Sequence, residues 1–539
     1  AYFTDVDSIW TKFSNTRFHD YSNQTTKIET LPIKVSLLAR GGENLKWQDL
    51  KIKVFDTPGY TRGSVSYIVD IDGKKIAFVG DLIYGDGKIL DLYSLQDTVA
   101  DLRGYHCYAA RLAQLISSLQ LIAEQKPDII VPSRGPIIND PDSAILKLIQ
   151  RVRLVYRSFL SITTIRGFAH SERMATLTQR VLGASAHVNY MPYSPVVQKN
   201  PSWDTHISNT NLVFADDGTA FLIDCGTKKE TFEEIVKMKQ SGRLKGLDGI
   251  FITHYHDDHT DFINDFVREF NCPVYITREL KDILENPAAY RMPCLTTRAV
   301  SNSNLTVMQE GQKLRWKDFT LTFRYFPGQT LYHDALLCEK DNGEAIFFLG
   351  DSFTSSGIDD YCLLNRNLLH RDQGYLYCLD VLKKLPENVL LSNSHVERLF
   401  SFSRQQLDYM TNVLLERNAI LKDLFPWDDI NFGVDEQWAR IYPYGQKTSP
   451  GKTIECTVKV FNHSDVSKTF ILKPNIPNGF SVQPDSVSLV IGPRTEGEKT
   501  FKIKISEQIS PGISLLTVNI KFDGWDLHEW SESLIEITP

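Results

Sequence analysis

Residues 250–261 read IFITHYHDDHTD, and the chemistry of the chain depends on them. An apolar strand, Gly249 to Thr253, runs into a loop carrying His254, His256, Asp258 and His259. Four potential metal ligands within six residues suit neither a hydrophobic core nor an ordinary solvated face. Two histidines separated by one residue at a strand end can point at one metal. Asp258 and His259 then reach a second metal, about 3.5–4 Å away.

On either side of this loop the chain repeats itself. Residues 54–82 read VFDTPGYTRGSVSYIVDIDGKKIAFVGDL, and residues 323–352 read FRYFPGQTLYHDALLCEKDNGEAIFFLGDS. Pro58-Gly59 aligns with Pro327-Gly328, Gly73 with Gly343, and Gly80-Asp81 with Gly350-Asp351. Each block predicts a turn, an apolar strand, an Asp/Gly-rich hairpin, a second strand and then Gly-Asp. Ile129-Ile130-Val131-Pro132-Ser133-Arg134 likewise parallels Val389-Leu390-Leu391-Ser392-Asn393-Ser394-His395. A helix follows each. Ser403 and Gln406 form a capping box ahead of Leu407, Met410, Val413 and Leu414. Ile145, Leu148, Ile149, Val152 and Val155 hold the same helical spacing in the first copy. Strands alternating with helices predict an α/β layered architecture in two copies.

The last hundred or so residues differ in pattern. Ile454, Cys456, Val458 and Val460 alternate with polar residues, as do Phe501, Ile503 and Ile505, and Leu516, Val518, Ile520 and Phe522. This predicts an antiparallel β-sandwich of immunoglobulin-like type, without the Cys…Trp…Cys signature of antibody domains. The expected division is a degenerate first copy over 1–185, a second copy over 186–434, and the sandwich over 435–539. The first copy has too few residues before Pro58-Gly59 for an opening hairpin, so it is either trimmed or a fragment of something longer.

With 539 residues, 42% hydrophobic and 23% charged, the chain is of ordinary globular composition, so disordered, collagen-like and coiled-coil readings fall away. A net charge of −7 with scattered Lys and Arg gives no support for nucleic-acid binding or an anionic membrane surface. No apolar run reaches the roughly 18 residues of a membrane span. The first residues lack a basic-then-apolar signal, so the expectation is a soluble chain, cytoplasmic or exported after signal removal. Cys107, Cys225, Cys272, Cys294, Cys338, Cys362, Cys378 and Cys456 form no C-x-x-C pair and read as buried thiols.

The run T-H-x-H-x-D-H after a strand resembles the signature of the metallo-β-lactamase-fold hydrolases. Pro327-Gly328-Gln329-Thr330 resembles that family's Pro-Gly-His-Thr loop, Phe348-Leu349-Gly350-Asp351 its strand ending in a metal-bridging Asp, and Ser394-His395 its last ligand position. Asn211-Leu212-Val213-Phe214 and Phe221-Leu222-Ile223-Asp224-Cys225-Gly226 resemble its opening hairpin. The resemblance covers about residues 205–430 strongly and 20–160 weakly, and implies an αββα sandwich. It implies that His254 and His256 hold one metal, that Asp258, His259 and His395 hold a second, and that Asp351 bridges them. Two zinc ions would then acidify a shared water, with Asp258 also orienting that nucleophile against an ester, thioester, lactone or phosphoester. Iron or manganese also fits the ligand set.

Gln329 stands where the family has its third histidine for the first metal. Either this amide serves as a poorer ligand, or His333, four residues on, completes the site or lies behind it. In the first copy Tyr60 stands at the position of Gln329 and Arg134 at that of His395, with Asp81 alone surviving. Thr16-Arg17-Phe18-His19-Asp20-Tyr21 only faintly echoes the histidine loop. His206 reads as a surface residue near the site mouth, and His106, His170, His187, His370, His463 and His528 as structural. The alternative function is a binding or scaffold protein with a degraded metal site. A redox use of iron lacks an accompanying flavin domain.

Overall fold

The computed structural model describes residues 30, 39–96, 109–168, 171–360 and 362–539. His19 and its flanking segment, Cys107, His106 and His170 lie outside the described residues. Near the N-terminus one sheet has the order β1 (Asn44–Trp47), β2 (Leu50–Asp56), β3 (Val65–Ile71), β4 (Lys74–Phe78) and β5 (Ile129–Val131). Only β4 and β5 are parallel neighbours. Exposure alternates along β2, as expected of a sheet with one face in a core. Leu115, Leu119, Leu148 and Val152 cover that face from the helices Leu112–Glu124 and Pro141–Ser161.

The middle of the chain builds two facing sheets. The first is six-stranded, in the order β6 (Asp204–Ile207), β7 (Thr210–Phe214), β8 (Ala220–Ile223), β9 (Leu247–Phe251), β10 (Val274–Thr277) and β11 (Leu305–Met308). The second contains β12 (Lys313–Trp316), β13 (Phe319–Tyr325), β14 (Asp334–Lys340) and β15 (Ala345–Phe348). A short hairpin, β16 (Phe353–Thr354) and β17 (Gly357–Ile358), precedes its last strand, β18 (Leu390–Ser392). Strand β8 is fully buried, because both of its faces are covered. Phe221, Phe251, Trp316, Phe323 and Phe348 pack between the sheets. Ile235, Phe266 and Leu280 cover the outer face of the first sheet. Leu376, Leu379, Leu407 and Met410 cover that of the second. Each such side chain stabilises by about 1.5–3 kcal/mol when fully buried. The four layers run helix, sheet, sheet, helix.

The helix Arg404–Leu424 starts at the expected capping box of Ser403 and Gln406. The C-terminal region holds two all-β sheets, of four and five strands. Thr453–Asn462, Thr495–Ile505 and Gly512–Phe522 are its long strands, at the positions where alternation placed them. Its core is continuous with that of the N-terminal sheet and of the second middle sheet. A polar chain also crosses into it. Arg366 donates from Nε and Nη2 to Asp435 at 2.9 Å each, and His463 Nε2 donates to Asp435 at 3.0 Å. His370 lies 3.2 Å from His463 and 3.2 Å from Arg494. The seven cysteines among the described residues are buried thiols.

Candidate metal centre

Parallel pairing of β8 with β9 and of β15 with β18 places four strand ends along one edge of the sandwich. The carboxyl ends of parallel strands are where open α/β sheets place their ligand sites. Just past them lie Asp224 after β8, His254 after β9, Asp351 after β15 and His395 after β18. The crossover from β15 is tight. Gly350 sits at φ 60°, and a Cβ there would come within 2.7 Å of His333 Nε2 and 2.8 Å of Thr253 Oγ1. Ser394 N donates to Gly350 O at 2.9 Å and ties the two loops together.

Two ligand groups result, and Asp351 belongs to both. His254, His256 and Asp351 form one, and Asp258, His259, Asp351 and His395 the other, with the ligand atoms of each within 4.8 Å of one another. His254 Nε2 and His256 Nδ1 are 3.1 Å apart. Asp351 Oδ2 lies 3.7 Å from His254 Nε2, 3.2 Å from His259 Nε2 and 2.8 Å from His395 Nε2. Asp258 lies 3.4 Å from His259 and 3.2 Å from His395. Ligands about 2.0–2.2 Å from one cation stand about 3–3.5 Å from each other, so the spacing fits. The donor set of imidazoles and carboxylates suits zinc, iron or manganese. His259 Nε2 and Asp351 Oδ1 are buried and have no directed hydrogen bond, which is how a cradle lined for a cation looks.

Electrostatics divide the cluster. Burial pushes His256 down to about 4 and His254 well below its ordinary value, keeping their lone pairs free. In the other group burial opposes charge, but Asp351 and Asp258 outweigh it and lift His395 to about 10. His259 and His395 in turn overcome burial to hold Asp258 at about 2. The carboxylates thus demand positive charge between them.

Supporting residues fix the ligands. Asp224 Oδ2 accepts from His259 Nδ1 at 2.9 Å, from Thr253 Oγ1 at 2.8 Å and from Ser394 Oγ at 3.1 Å. Such an acceptor sets the tautomer and aim of a metal-binding imidazole. Asn209 Nδ2 donates to Asp258 Oδ2 at 2.8 Å. Neither Asp224 nor Asn209 was singled out as a site residue from sequence. Asp224 ends an apolar strand, which was the available signal.

The structure leaves His333 out of both groups. Its Nε2 donates to Leu349 O at 3.0 Å, and its ring stacks on His254 at 4.5 Å with an interplanar angle of 4°. Strand β14 starts at the next residue, and the backbone bridge between His254 and His333 turns that ring behind the ligands. His206 faces Asn211 at 3.4 Å and also stays outside. His370, Asp429 and His463 form a third cluster. Arg494 can only donate to His370 Nδ1, so His370 Nε2 carries the proton and donates to His463. Neither imidazole of that cluster keeps a free lone pair for a cation.

In the N-terminal region the corresponding residues also meet. Arg134 Nη1 lies 3.3 Å from Asp81 Oδ2, and Tyr60 Oη donates to Asp91 at 3.0 Å.

The four-layer α/β/β/α sandwich thus carries a histidine–aspartate cluster at one edge of its paired sheets. Residues 203–322 match the family model of the metallo-beta-lactamase superfamily. A hydroxyacylglutathione hydrolase of Hahella chejuensis is 25% identical over 191 residues, 35% of this chain. The chain spans 62% of the length of that curated relative. Among solved structures, a metallo-beta-lactamase from Elizabethkingia meningoseptica is 21% identical, with 44% of this chain and 98% of that one covered and a TM-score of 0.31. One from Staphylococcus aureus is 16% identical, with 42% and 69% covered and a TM-score of 0.32.

Proposed function

We propose that residues 186–434 form a hydrolase domain with a binuclear centre, zinc being the default metal, that cleaves an ester, thioester, lactone or phosphoester bond in a small molecule. The observation that carries this is the sharing of Asp351 by two groups of ligand atoms. His254 and His256 would hold one ion, Asp258, His259 and His395 the other, and Asp351 both. When bound, the cations supply Lewis acidity, which polarises the substrate's electrophilic oxygen and makes water nucleophilic near neutral pH.

The chain's own residues do the rest. Asn209 keeps Asp258 Oδ2 engaged, so Oδ1 is the atom that takes the proton of the attacking water. Asp224 and Thr253 keep the imidazoles aimed. His395 is the open ligand, with a third of its side chain exposed, and so faces incoming substrate. Phe168, 48% exposed, stands edge-on to His395 at 6.3 Å and supplies an apolar wall.

The N-terminal region is read as a metal-free copy of the same fold, over 1–185. Support comes from the β1–β5 order, which has the antiparallel and parallel pairings of β12–β15 with β18. Gly80 and Gly350 share φ 60°, and Ser133 N donates to Gly80 O as Ser394 N does to Gly350 O. The region 435–539 is read as an immunoglobulin-like sandwich, supported by its two sheets of four and five strands, antiparallel except where Gly445–Thr448 pairs in parallel with Trp525–Ile537.

Thioesters are the first substrates to test, because the curated relative is named for a hydroxyacylglutathione. Purified protein reconstituted with zinc, iron or manganese should retain two ions and hydrolyse at least one chromogen of a thioester, ester, lactone, phosphodiester and lactam set. Less than one ion retained with each metal, and no turnover on any substrate, would overturn the reading.

A further inference from the structure

Phe168 reaches His395 from the end of a single helical turn, Ile165–Phe168, that cannot hold itself. Four residues are too few for a stable helix, and Gly167 lowers helix propensity further. Gly167 and Phe168 are both exposed, so burial does not fix the end of the turn. Its start is fastened. Ile165 is buried, Ile165 N donates to Thr163 Oγ1 at 3.2 Å, and Gly167 N donates to Thr164 O at 2.7 Å. The exposed end depends on the side chain of Arg166.

The Arg166 guanidinium lies over two rings, its Cζ 4.5 Å from the centroid of Tyr190 and 4.4 Å from that of Tyr193. Nη1 donates to Met191 O at 2.7 Å, and Tyr193 Oη donates back to Arg166 O at 2.8 Å. A planar guanidinium can stack on aromatic faces and still donate within its own plane. The segment that grips it is itself fixed on both sides. Met191 is buried, and its N donates to Ser161 O at 2.8 Å. Pro192 O accepts from Gln406 Nε2 at 2.9 Å, and Ser194 N donates to Ser355 O at 2.8 Å, in the hairpin of β16 and β17. Val197 N donates to Leu399 O at 2.9 Å, shortly past His395. The grip on Arg166 therefore refers the turn of Phe168 to the loops that carry His395 and follow Asp351.

We propose that Arg166 is a positioning residue for substrate selection: gripped by Tyr190, Met191 and Tyr193, it holds Phe168 edge-on to His395 and so favours substrates with a bulky apolar acyl group beside the bond cleaved. This rests on the hydrolase reading above. An exposed phenyl ring gains by losing water only against an apolar group large enough to cover it, and an acetyl group is too small. Arg166 acts only through Phe168.

The test uses the full chain, zinc-reconstituted, with the acetyl and phenylacetyl thioesters of mercaptoethanol and the para-nitrophenyl esters of the same two acids. The readout is the ratio of kcat/KM for phenylacetyl over acetyl within each pair, which cancels any general loss of active protein. Arg166→Ala should lower that ratio about 10-fold, the low end for one apolar contact in a pocket, and through KM rather than kcat. Phe168→Ala should lower it as much, and the double variant no further than either. A wild-type ratio in Arg166→Ala overturns the proposal. So does a further drop when Arg166→Ala is added to Phe168→Ala, because a merely structural role would not need Phe168. If Arg166→Ala does not fold, Tyr193→Leu removes one ring and one hydrogen bond of the grip at an exposed position, and an unchanged ratio there overturns the proposal. No turnover of any probe by wild type would count against the hydrolase reading and not against the grip. The position of Phe168 is then read without turnover, from the fluorine signal of para-fluorophenylalanine in its place with cobalt in the centre. Paramagnetic broadening lost in Arg166→Ala supports the proposal, and broadening left intact overturns it.

Discussion

Acid should loosen the junction between the middle sandwich and the C-terminal sheets before it titrates ordinary carboxylates. His370 is buried, and its pKa is pushed from 6.5 down to about 4 by burial first, then by His463 and Arg494, against the pull of Asp429 and Asp372. A histidine whose folded pKa is depressed binds fewer protons folded than unfolded between the two values. The stability it contributes is therefore present above about pH 6.5 and lost as pH falls through that window toward 4. The span of about 2.5 units, at 1.36 kcal/mol each, gives about 3 kcal/mol. The geometry explains the size, because a second proton on His370 would sit at Nδ1, where Arg494 now donates at 3.2 Å.

The assay is denaturant unfolding of wild type and His370→Gln at a series of pH values from 4 to 7.5. The glutamine does not titrate and keeps one donor and one acceptor. It should start less stable at pH 7.5, and its curve should fall by about 3 kcal/mol less than wild type across the window. Buried histidines that do not touch His370 are common to both proteins and cancel in the difference. Parallel curves would refute the reasoning.

Asp224→Asn removes the acceptor that aims His259 and should weaken the second ion about 10–100-fold by chelator competition, without unfolding the chain. Phe168→Ala should raise KM for substrates with bulky acyl groups while metal content stays constant, and an unchanged KM would remove Phe168 from the substrate wall. Arg417 and Asp360 form a buried ion pair that joins the helix Arg404–Leu424 to the loop after β17. Arg417→Leu should cost about 3–5 kcal/mol in denaturant melts, because it strands a buried carboxylate, and adding Asp360→Leu should recover part of that.

The candidate ligands most legible in the sequence were the local ones. His254, His256, Asp258 and His259 announce themselves because a strand end and one turn bring them together within six residues. The long strands of the C-terminal region were equally plain, since alternation with period two is written in each segment. What escaped notice joins residues far apart. Asp224 meets His259 across 35 positions, and Asn209 meets Asp258 across 49. No spacing rule links an acceptor on one strand end to an imidazole on the next. His333 shows the converse. Its place in the sequence suggests a ligand, yet the first residue of β14 follows it, and pairing with His254 turns its ring behind the site. His370 and His463 looked unrelated at 93 positions apart, and only the docking of the C-terminal sheets brings them together.

The described N-terminal residues are tied to the candidate site through a seam of hydrogen bonds. Asp81 would be a buried carboxylate facing nothing, but Arg134 supplies at 3.3 Å the positive charge that cations would supply at Asp351. A fixed guanidinium beside Asp81 balances its charge without a cation. Its chain then continues into the other site. Thr164 N donates to Ile358 O at 2.9 Å, Ile358 N donates to Ile162 O at 2.7 Å, and Ser356 Oγ donates to the carbonyls of Thr163 and Thr164. These bonds fasten the N-terminal region to the hairpin of β16 and β17, between Asp351 and Asp359. The helix Ile165–Phe168 begins at this seam and ends with Phe168 against His395. Loosening the seam would therefore shift Phe168 and the hairpin beside Asp351 together, which couples the packing of the N-terminal region to the geometry of the candidate site.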